Sequence, residues 1–359
     1  MKVLLISSFA LPSPPKTYGG LERVAYEEAL GLAELGHDVT LVASKGSKAP
    51  SGVNLIETVP SFDTLSNEEK QRLGKEDRLW NNWRRHEELA FDLYKDKIAE
   101  NDVVMDLSWS KWSYSTRKDE ILGILHSIQQ FQSNPPREFP LLCGVSKGHA
   151  RFLTAKMHKA HRVVWNPVNV DEFTVREKKE DRILSLNRIM PTKGIHLFLD
   201  VVEKCRVKAD VVGDDSMLVP DQNYVSMIKE RCKKSAFAVY WGLVDDATRA
   251  RKLQEAKATV CMKDGGYEEI FGLMAVESLA CGTPVVALDS WGFQDILTKE
   301  TGVLCKSVDE VASAVNKIMS GELVFKAEDC RKQAEFFKRA NICRMLEQTL
   351  KAVASGSRW

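Results

Sequence analysis

The stretch YEEIFGLMAVESLACGTPVV, Tyr267 to Val286, opens with a pair of acidic residues and then sets a third, Glu277, inside an apolar run. Read as a helix starting near Gly272, it places Leu273, Met274, Ala280 and Cys281 three or four positions from Glu277. Such positions share one helix face, so Glu277 lies on the side that should be buried. A buried carboxylate without a partner is costly. The sequence leaves two solutions open: a cation in the core, or a ligand that arrives with hydrogen-bond donors. An apolar strand run, ATVCMK, precedes this helix and another, TPVVAL, follows it. Strand, helix, strand is the unit of a parallel sheet.

The same alternation extends in both directions. Toward the N-terminus, KVLLISSF reads as a buried strand, GGLERVAYEEALGLAELGH as a helix ending at Gly36, and DVTLVAS as a second strand. A long polar and aromatic helix is expected over about 67–99, then short strand runs in DVVMDLS, ILGILHS, PLLCGVS and HRVVWNPVN. The charged patch Asp171 to Arg182 reads as a linker. A second series then begins with ILSLNR and a helix from about Gly194 to Cys205. It continues with ADVVGD, a helix around Tyr224 to Lys234, AVYWG, the helix DDATRARKLQEA, the stretch quoted above, and GVLCK. From Val308 onward the chain reads as helices. The expectation is an α/β protein with two Rossmann-like halves. The N-terminal domain is expected over 1–168 and the second over 169–335. A closing helix over 336–359 is expected to pack back on the first.

Composition bounds the function. A chain of 359 residues suits two domains. An apolar fraction of 44%, with 28% charged residues and a net charge of +1, is a globular balance that calls for neither nucleic acid nor an anionic membrane. The eight cysteines show no metal-ligand spacing, so free buried thiols and a cytoplasmic setting are expected. Lys2 followed by an apolar run imitates a secretory signal, but the run serves better as the first strand, and the Gly-Gly turn after it leads into an amphipathic helix. The run RLWNNWRRHEEL raises at most a peripheral membrane contact. The better account has Trp80, Trp83, Phe91 and Tyr94 packing that helix on the sheet.

Several residues cluster where strands end and helices begin. Arg188 follows the strand ILSLNR, and Lys193 stands just before a helix start. Two cations there suit a diphosphate, although ordinary surface charge explains them as well. Lys193 opposes the helix macrodipole, which favours a bound anion. Glu269 would lie over one end of a ligand and Glu277 face its middle, as hydroxyl-binding carboxylates would. Phe271 anchors the turn, and Gly272 lets the backbone approach a ligand. Gly19 and Gly20 make a tight turn into the first helix, suited to phosphate but without the full G-x-G-x-x-G pattern. His126 ends a short apolar run; alone it reads better as a satisfied, half-buried imidazole than as an active-site group. No Asp-x-Asp motif occurs, so no metal site is expected.

The stretch from Glu269 to Glu277 resembles the E-x-F-G-x-x-x-x-E signature of the family-four retaining glycosyltransferases, which have the two-domain GT-B fold with parallel sheets facing a central cleft. GGLERVAYEEALGLAELGHDVTLVA, CGVSKGHARFL, WNPVNVDEF and NRIMPTKGIHLFL resemble further segments of that family, so the likeness runs along nearly the whole chain. It implies a hexosyltransferase that needs no metal or cofactor and uses a nucleotide-diphosphate sugar, UDP- or GDP-linked. The acceptor would be a sugar, a lipid-linked molecule or another small molecule. In that likeness Glu277 matches the carboxylate on the ribose, Glu269 the one at the donor sugar, and Arg188 with Lys193 the pair on the diphosphate. Phe271, Gly272, Leu273 and Met274 match the loop and helix start that hold sugar and phosphate. Gly19 and Gly20 match the glycine loop facing the phosphates from the other domain, and His126 the histidine beside the transferred sugar. Trp241, Gly242 and Leu243 stand where the base would lie. The chain departs from the pattern at Ile270, where the family has Pro, in KDGGYE, and in DSWGFQDIL with Asp295 in the acidic place; these bear on the identity of the sugar. A nucleotide-sugar epimerase and a non-catalytic sugar-nucleotide binder are the other classes compatible with the sequence.

Overall fold

The computed structural model describes residues 1–16, 19–73, 79–116, 119–124, 141–157, 161–216 and 221–359. The chain divides into two compact units, Met1–Pro167 with Arg339–Trp359, and Val168–Lys338. In the first unit the elements run β1 (Lys2–Ile6), α1 (Gly20–Glu34), β2 (Asp38–Lys45), β3 (Val53–Pro60), α2 (Asn67–Arg72), α3 (Leu79–Tyr94), β4 (Val103–Asp106), β5 (Ile121–Ile124), β6 (Leu142–Gly144), α4 (Lys147–Met157) and β7 (Arg162–Val163). A C-terminal helix, Arg339–Ala354, completes it. The sheet has seven strands in the order β3-β2-β1-β4-β5-β6-β7. Every pairing is parallel, with Leu4 opposite both Thr40 and Val104. The central strands are buried on both faces, Val3 through Ile6 completely. This is why they read as unbroken apolar runs.

The second unit repeats the scheme: β8 (Glu180–Leu186), α5 (Ile195–Cys205), β9 (Lys208–Val212), α6 (Gln222–Lys234), β10 (Ala238–Gly242), α7 (Asp246–Glu255), β11 (Ala256–Cys261), α8 (Leu273–Ala280), β12 (Val285–Leu288), α9 (Trp291–Ile296), β13 (Gly302–Cys305), α10 (Val308–Ser320) and α11 (Ala327–Phe336). Its six parallel strands lie in the order β10-β9-β8-β11-β12-β13. From β8 the chain moves outward one way through β9 and β10. From β11 it moves outward the other way. The strand order therefore reverses between β8 and β11, and in open α/β sheets ligands bind beyond the carboxyl ends of the strands at such a switch point. One core of aliphatic side chains, among them Ile183, Phe198, Val211, Val260 and Val315, joins the sheet to α5, α6 and α10.

Two Rossmann-like α/β domains are thus the architecture, as expected. Local expectations needed correction. β3 was not anticipated: in VNLIETVP only Val53 and Thr58 are buried, because this is an edge strand with one sparsely covered face. The charged patch taken as a linker gives its last residues, Glu180 to Arg182, to β8. The long helix ends at Tyr94 and a 3-10 turn follows over Lys95–Glu100. Phe91 and Tyr94 are buried, and Trp83 meets Phe62 edge to face at 4.8 Å. The Trp80 side chain lies outside the described residues. All eight cysteines are free, seven of them buried. Among the described residues no helix is long and apolar enough to cross a membrane.

Candidate active site

In the second unit the predicted residues gather around the switch point between β8 and β11. Arg188 follows the end of β8. Its Nε lies 3.9 Å from Asp214 Oδ2, a carboxylate that is almost wholly buried. Lys193 ends a 3-10 turn, Pro191–Lys193, ahead of α5. The loop after β11 is tied to this turn by Asp264 N–H donating to the Thr192 carbonyl at 3.1 Å. That loop carries Glu269, and Lys193 Nζ pairs with Glu269 Oε2 and donates to the Tyr267 hydroxyl at 3.0 Å. Burial alone would lower the Lys193 pKa, but Glu269 and Tyr267 hold it well above the ordinary lysine range. The unfavourable placement of Lys193 before a helix start is therefore met by Glu269, and does not require a bound anion.

The Glu269 loop is itself anchored. Glu269 N–H donates to Ser290 Oγ at 2.6 Å, and Gly292 N–H donates to the Glu269 carbonyl at 2.8 Å. Phe271 is buried and meets Phe337 edge to face at 5.6 Å. Gly272 caps α8 with a φ of 97°. A Cβ there would stand 2.6 Å from the Phe293 ring, so the position requires glycine twice over. Leu273 and Met274 form the first turn of α8, and the leading N–H groups of a helix have no partners within it. Those donors and the positive end of the helix suit an anion.

Glu277 is answered by a cation. It is 6% exposed on α8, and Arg249 Nη1 of α7 pairs with its Oε2. Burial alone would lower the Arg249 pKa; Glu277 and, more weakly, Asp246 raise it above its ordinary value. The sequence alone allowed for such a cation without identifying which residue supplies it. A signal existed, because Arg249 shares a helical face with Lys252 and Leu253, both buried. A basic residue on the buried face of an amphipathic helix implies a buried acid.

At the sheet edge, the Trp241 side chain is held by the sheet. Its Nε1–H donates to Asp210 Oδ1 at 2.8 Å, and Lys252 Nζ stands 3.8 Å from its ring centroid. Gly242 closes β10, and Leu243 beyond it is exposed. In the first unit, Gly19 precedes α1 with a φ of 146°, and a Cβ there would lie 2.6 Å from the Pro15 Cβ. Gly20 is the first residue of α1. His126 lies outside the described residues. Among the described residues no group of three or more His, Cys, Asp or Glu side chains could hold a metal ion.

Residues 169–336 match the family described as Glycosyl transferases group 1. That match spans the second unit almost from end to end. A GDP-mannose-dependent α-(1-6)-phosphatidylinositol dimannoside mannosyltransferase of Mycobacterium tuberculosis is 35% identical over 104 residues, 29% of this chain and 27% of the relative. The match thus spans about a quarter of that relative's length. Among solved structures, sucrose-phosphate synthase from Thermosynechococcus elongatus has a TM-score of 0.77 at 18% identity, over 99% of this chain and 100% of that one. The Anabaena protein HepE in complex with UDP-glucose has a TM-score of 0.72 at 15% identity, over 98% and 100% of the two chains. At these identities the structural likeness concerns the fold.

Proposed function

We propose that this chain is a retaining glycosyltransferase that moves a hexosyl group from a nucleotide-diphosphate sugar to an acceptor hydroxyl. The observation that carries the reading is the gathering of Arg188, Lys193 and Glu269 with the start of α8 at the β8–β11 switch point. The group 1 match over this unit supports it, as do the GDP-mannose-dependent relative and the structural neighbour that holds UDP-glucose. The donor would be UDP- or GDP-linked.

In this mechanism the diphosphate takes donors from Arg188, Lys193 and the first N–H groups of α8. When the bond from the anomeric carbon to the diphosphate oxygen breaks, negative charge builds on the leaving oxygen. Cations and oriented N–H groups already in place stabilise that charge without reorganising. Lys193 must exchange Glu269 for phosphate, which releases Glu269 to accept from hydroxyls of the sugar. Glu277 accepts from the ribose diol. No side chain serves as a covalent nucleophile. The acceptor hydroxyl attacks from the face the diphosphate leaves, and its proton passes to a leaving phosphate oxygen. His126 would stand beside the transferred sugar.

The test is a thermal-shift screen with UDP-, GDP- and ADP-sugars, followed by transfer to simple acceptors with the product anomer read by NMR. A true donor at 100 times its dissociation constant should stabilise the protein by about 2.7 kcal/mol. Turnover should persist in EDTA, because side chains and the helix start meet the leaving charge. Failure of every nucleotide sugar to bind overturns the reading. An inverted product removes the retaining step, and loss of turnover in EDTA restored by manganese removes the metal-free one.

A further inference from the structure

We infer that Arg249 is a positioning residue for recognition of the donor ribose: it fixes one oxygen of Glu277 and leaves the other for the ligand. The inference rests on the donor-site reading above and adds to it a residue that the sequence did not bring forward.

Two other buried acids, Asp106 and Asp210, have both oxygens met. Asp106 Oδ1 accepts from Ser108 N–H and Oγ–H, and its Oδ2 accepts from Ser113. Asp210 Oδ1 accepts from Trp241, while Arg182 and Lys252 sit 3.1 and 3.2 Å from its Oδ2. Glu277 differs. Arg249 takes Oε2, and among the described residues no other ion pair reaches the carboxylate. The Arg249 guanidinium is itself held on two further sides. Its Nη2 lies 3.3 Å from Asp246 Oδ1, and its plane stands 5.6 Å from the Phe173 ring. A cation fixed in this way sets the carboxylate's rotation. A carboxylate with one anchored and one open oxygen can accept from a vicinal diol at once, with no search over rotamers.

The experiment compares UDP and GDP with their 2′,3′-dideoxy counterparts by calorimetry, in the wild type and in Arg249→Met, Arg249→Lys and Glu277→Gln. In the wild type, loss of the diol should cost roughly ten- to a hundredfold in affinity, the worth of hydrogen bonds to a charged acceptor. In Arg249→Met that ratio should fall toward one, as in Glu277→Gln, with Arg249→Lys in between. Melting temperatures confirm that each variant is folded. A purely structural Arg249 would lower stability and leave the ratio intact, which overturns the inference. Loss of the ratio in Glu277→Gln alone also overturns it, while the donor-site reading stands. Failure of the wild type to bind either nucleotide defeats the donor-site reading itself.

Discussion

Glu277 and Glu28 stand on helices of the two different units, and in sequence they look alike. Each is a carboxylate among apolar neighbours on a helix that follows a buried strand. In the second unit Glu277 meets Arg249. In the first unit Glu28 is completely buried, and among the described residues neither of its oxygens has a partner. Burial pushes its pKa up to about 8. Glu87 lies between these cases: burial raises it to about 7, even though the backbone N–H groups of Trp109 and Ser110 donate to it. Burial thus sets the cost of a carboxylate, and the partner decides whether it remains an anion. The second unit pairs Glu277 with a cation, whereas Glu28 in the first has no partner among the described residues, and burial there favours its neutral form.

The largest expected effect comes from breaking the pair. Removing one partner of a buried ion pair costs about 3–5 kcal/mol, because the other charge is stranded. Arg249 retains Asp246 and is 16% exposed, so Glu277→Leu should lie near the low end, about 3 kcal/mol. The double variant Glu277→Leu with Arg249→Met should regain most of that stability, since no charge is left unpaired. Urea unfolding of all four proteins measures the coupling. Additive losses would mean that the contact contributes nothing and that the contrast with Glu28 is empty.

Removing the charge at Glu28 by Glu28→Gln should act in the opposite direction, and only at the higher pH values. Its folded pKa lies above the unfolded value of about 4.5, so the folded chain keeps a proton that the unfolded chain releases. Stability is therefore fully retained below about pH 4.5 and falls as pH rises toward 8. At one proton per molecule the slope approaches 1.4 kcal/mol per pH unit, or about 3 kcal/mol by pH 7. Glu28→Gln removes that slope. The two proteins should unfold at similar urea concentrations near pH 4.5, and the variant should be the more stable near pH 7.5. A gap that does not change with pH would show that Glu28 has found a partner.

A smaller effect separates pairs that remain from pairs that exchange. Lys193 and Glu269 are bonded in the free chain, and the proposed donor must part them. Lys193→Ala should weaken nucleoside-diphosphate binding by roughly ten- to a hundredfold, the worth of one charge-assisted hydrogen bond. Calorimetry on the variant decides this. Unchanged affinity would make Lys193–Glu269 a structural pair like Lys252–Asp210.

The fold was legible because buried parallel strands leave unbroken apolar runs such as KVLLI and TVC, with turns between them. β3 escaped because an edge strand leaves no such run. At the candidate site, Arg188, Lys193 and Glu269 were legible as residues at the carboxyl ends of strands, a place fixed by the strand–turn–helix rhythm. Their partners were not. Asp214 follows β9, and Arg249 belongs to the helix before β11. Such pairings depend on which helix lies over which strand. The apolar neighbours of Glu277 predicted its burial but were silent on its counterion, and the same pattern around Glu28 concealed the lack of one.

The smallest and most local test uses the residue beside Glu28. Glu27 is nearly as buried, yet Arg339 of the C-terminal helix donates to its Oε2 from Nη1 at 2.6 Å. Arg339 also reaches Glu34 with Nε and Nη2, at 3.2 and 3.1 Å. Glu27→Gln therefore leaves the cation with a partner, and a neutral amide oxygen can still accept from it. The loss should be only about 1 kcal/mol, the difference between a charged and a neutral acceptor. Two adjacent glutamates on one helix should thus respond to one substitution with opposite signs, Glu27 losing stability and Glu28 gaining it near pH 7.5. Unfolding curves of the two variants at that pH read the sign directly. A gain at both positions would mean that the Arg339 pair does not offset the burial of Glu27, and that the presence of a cation does not separate the two kinds of buried acid.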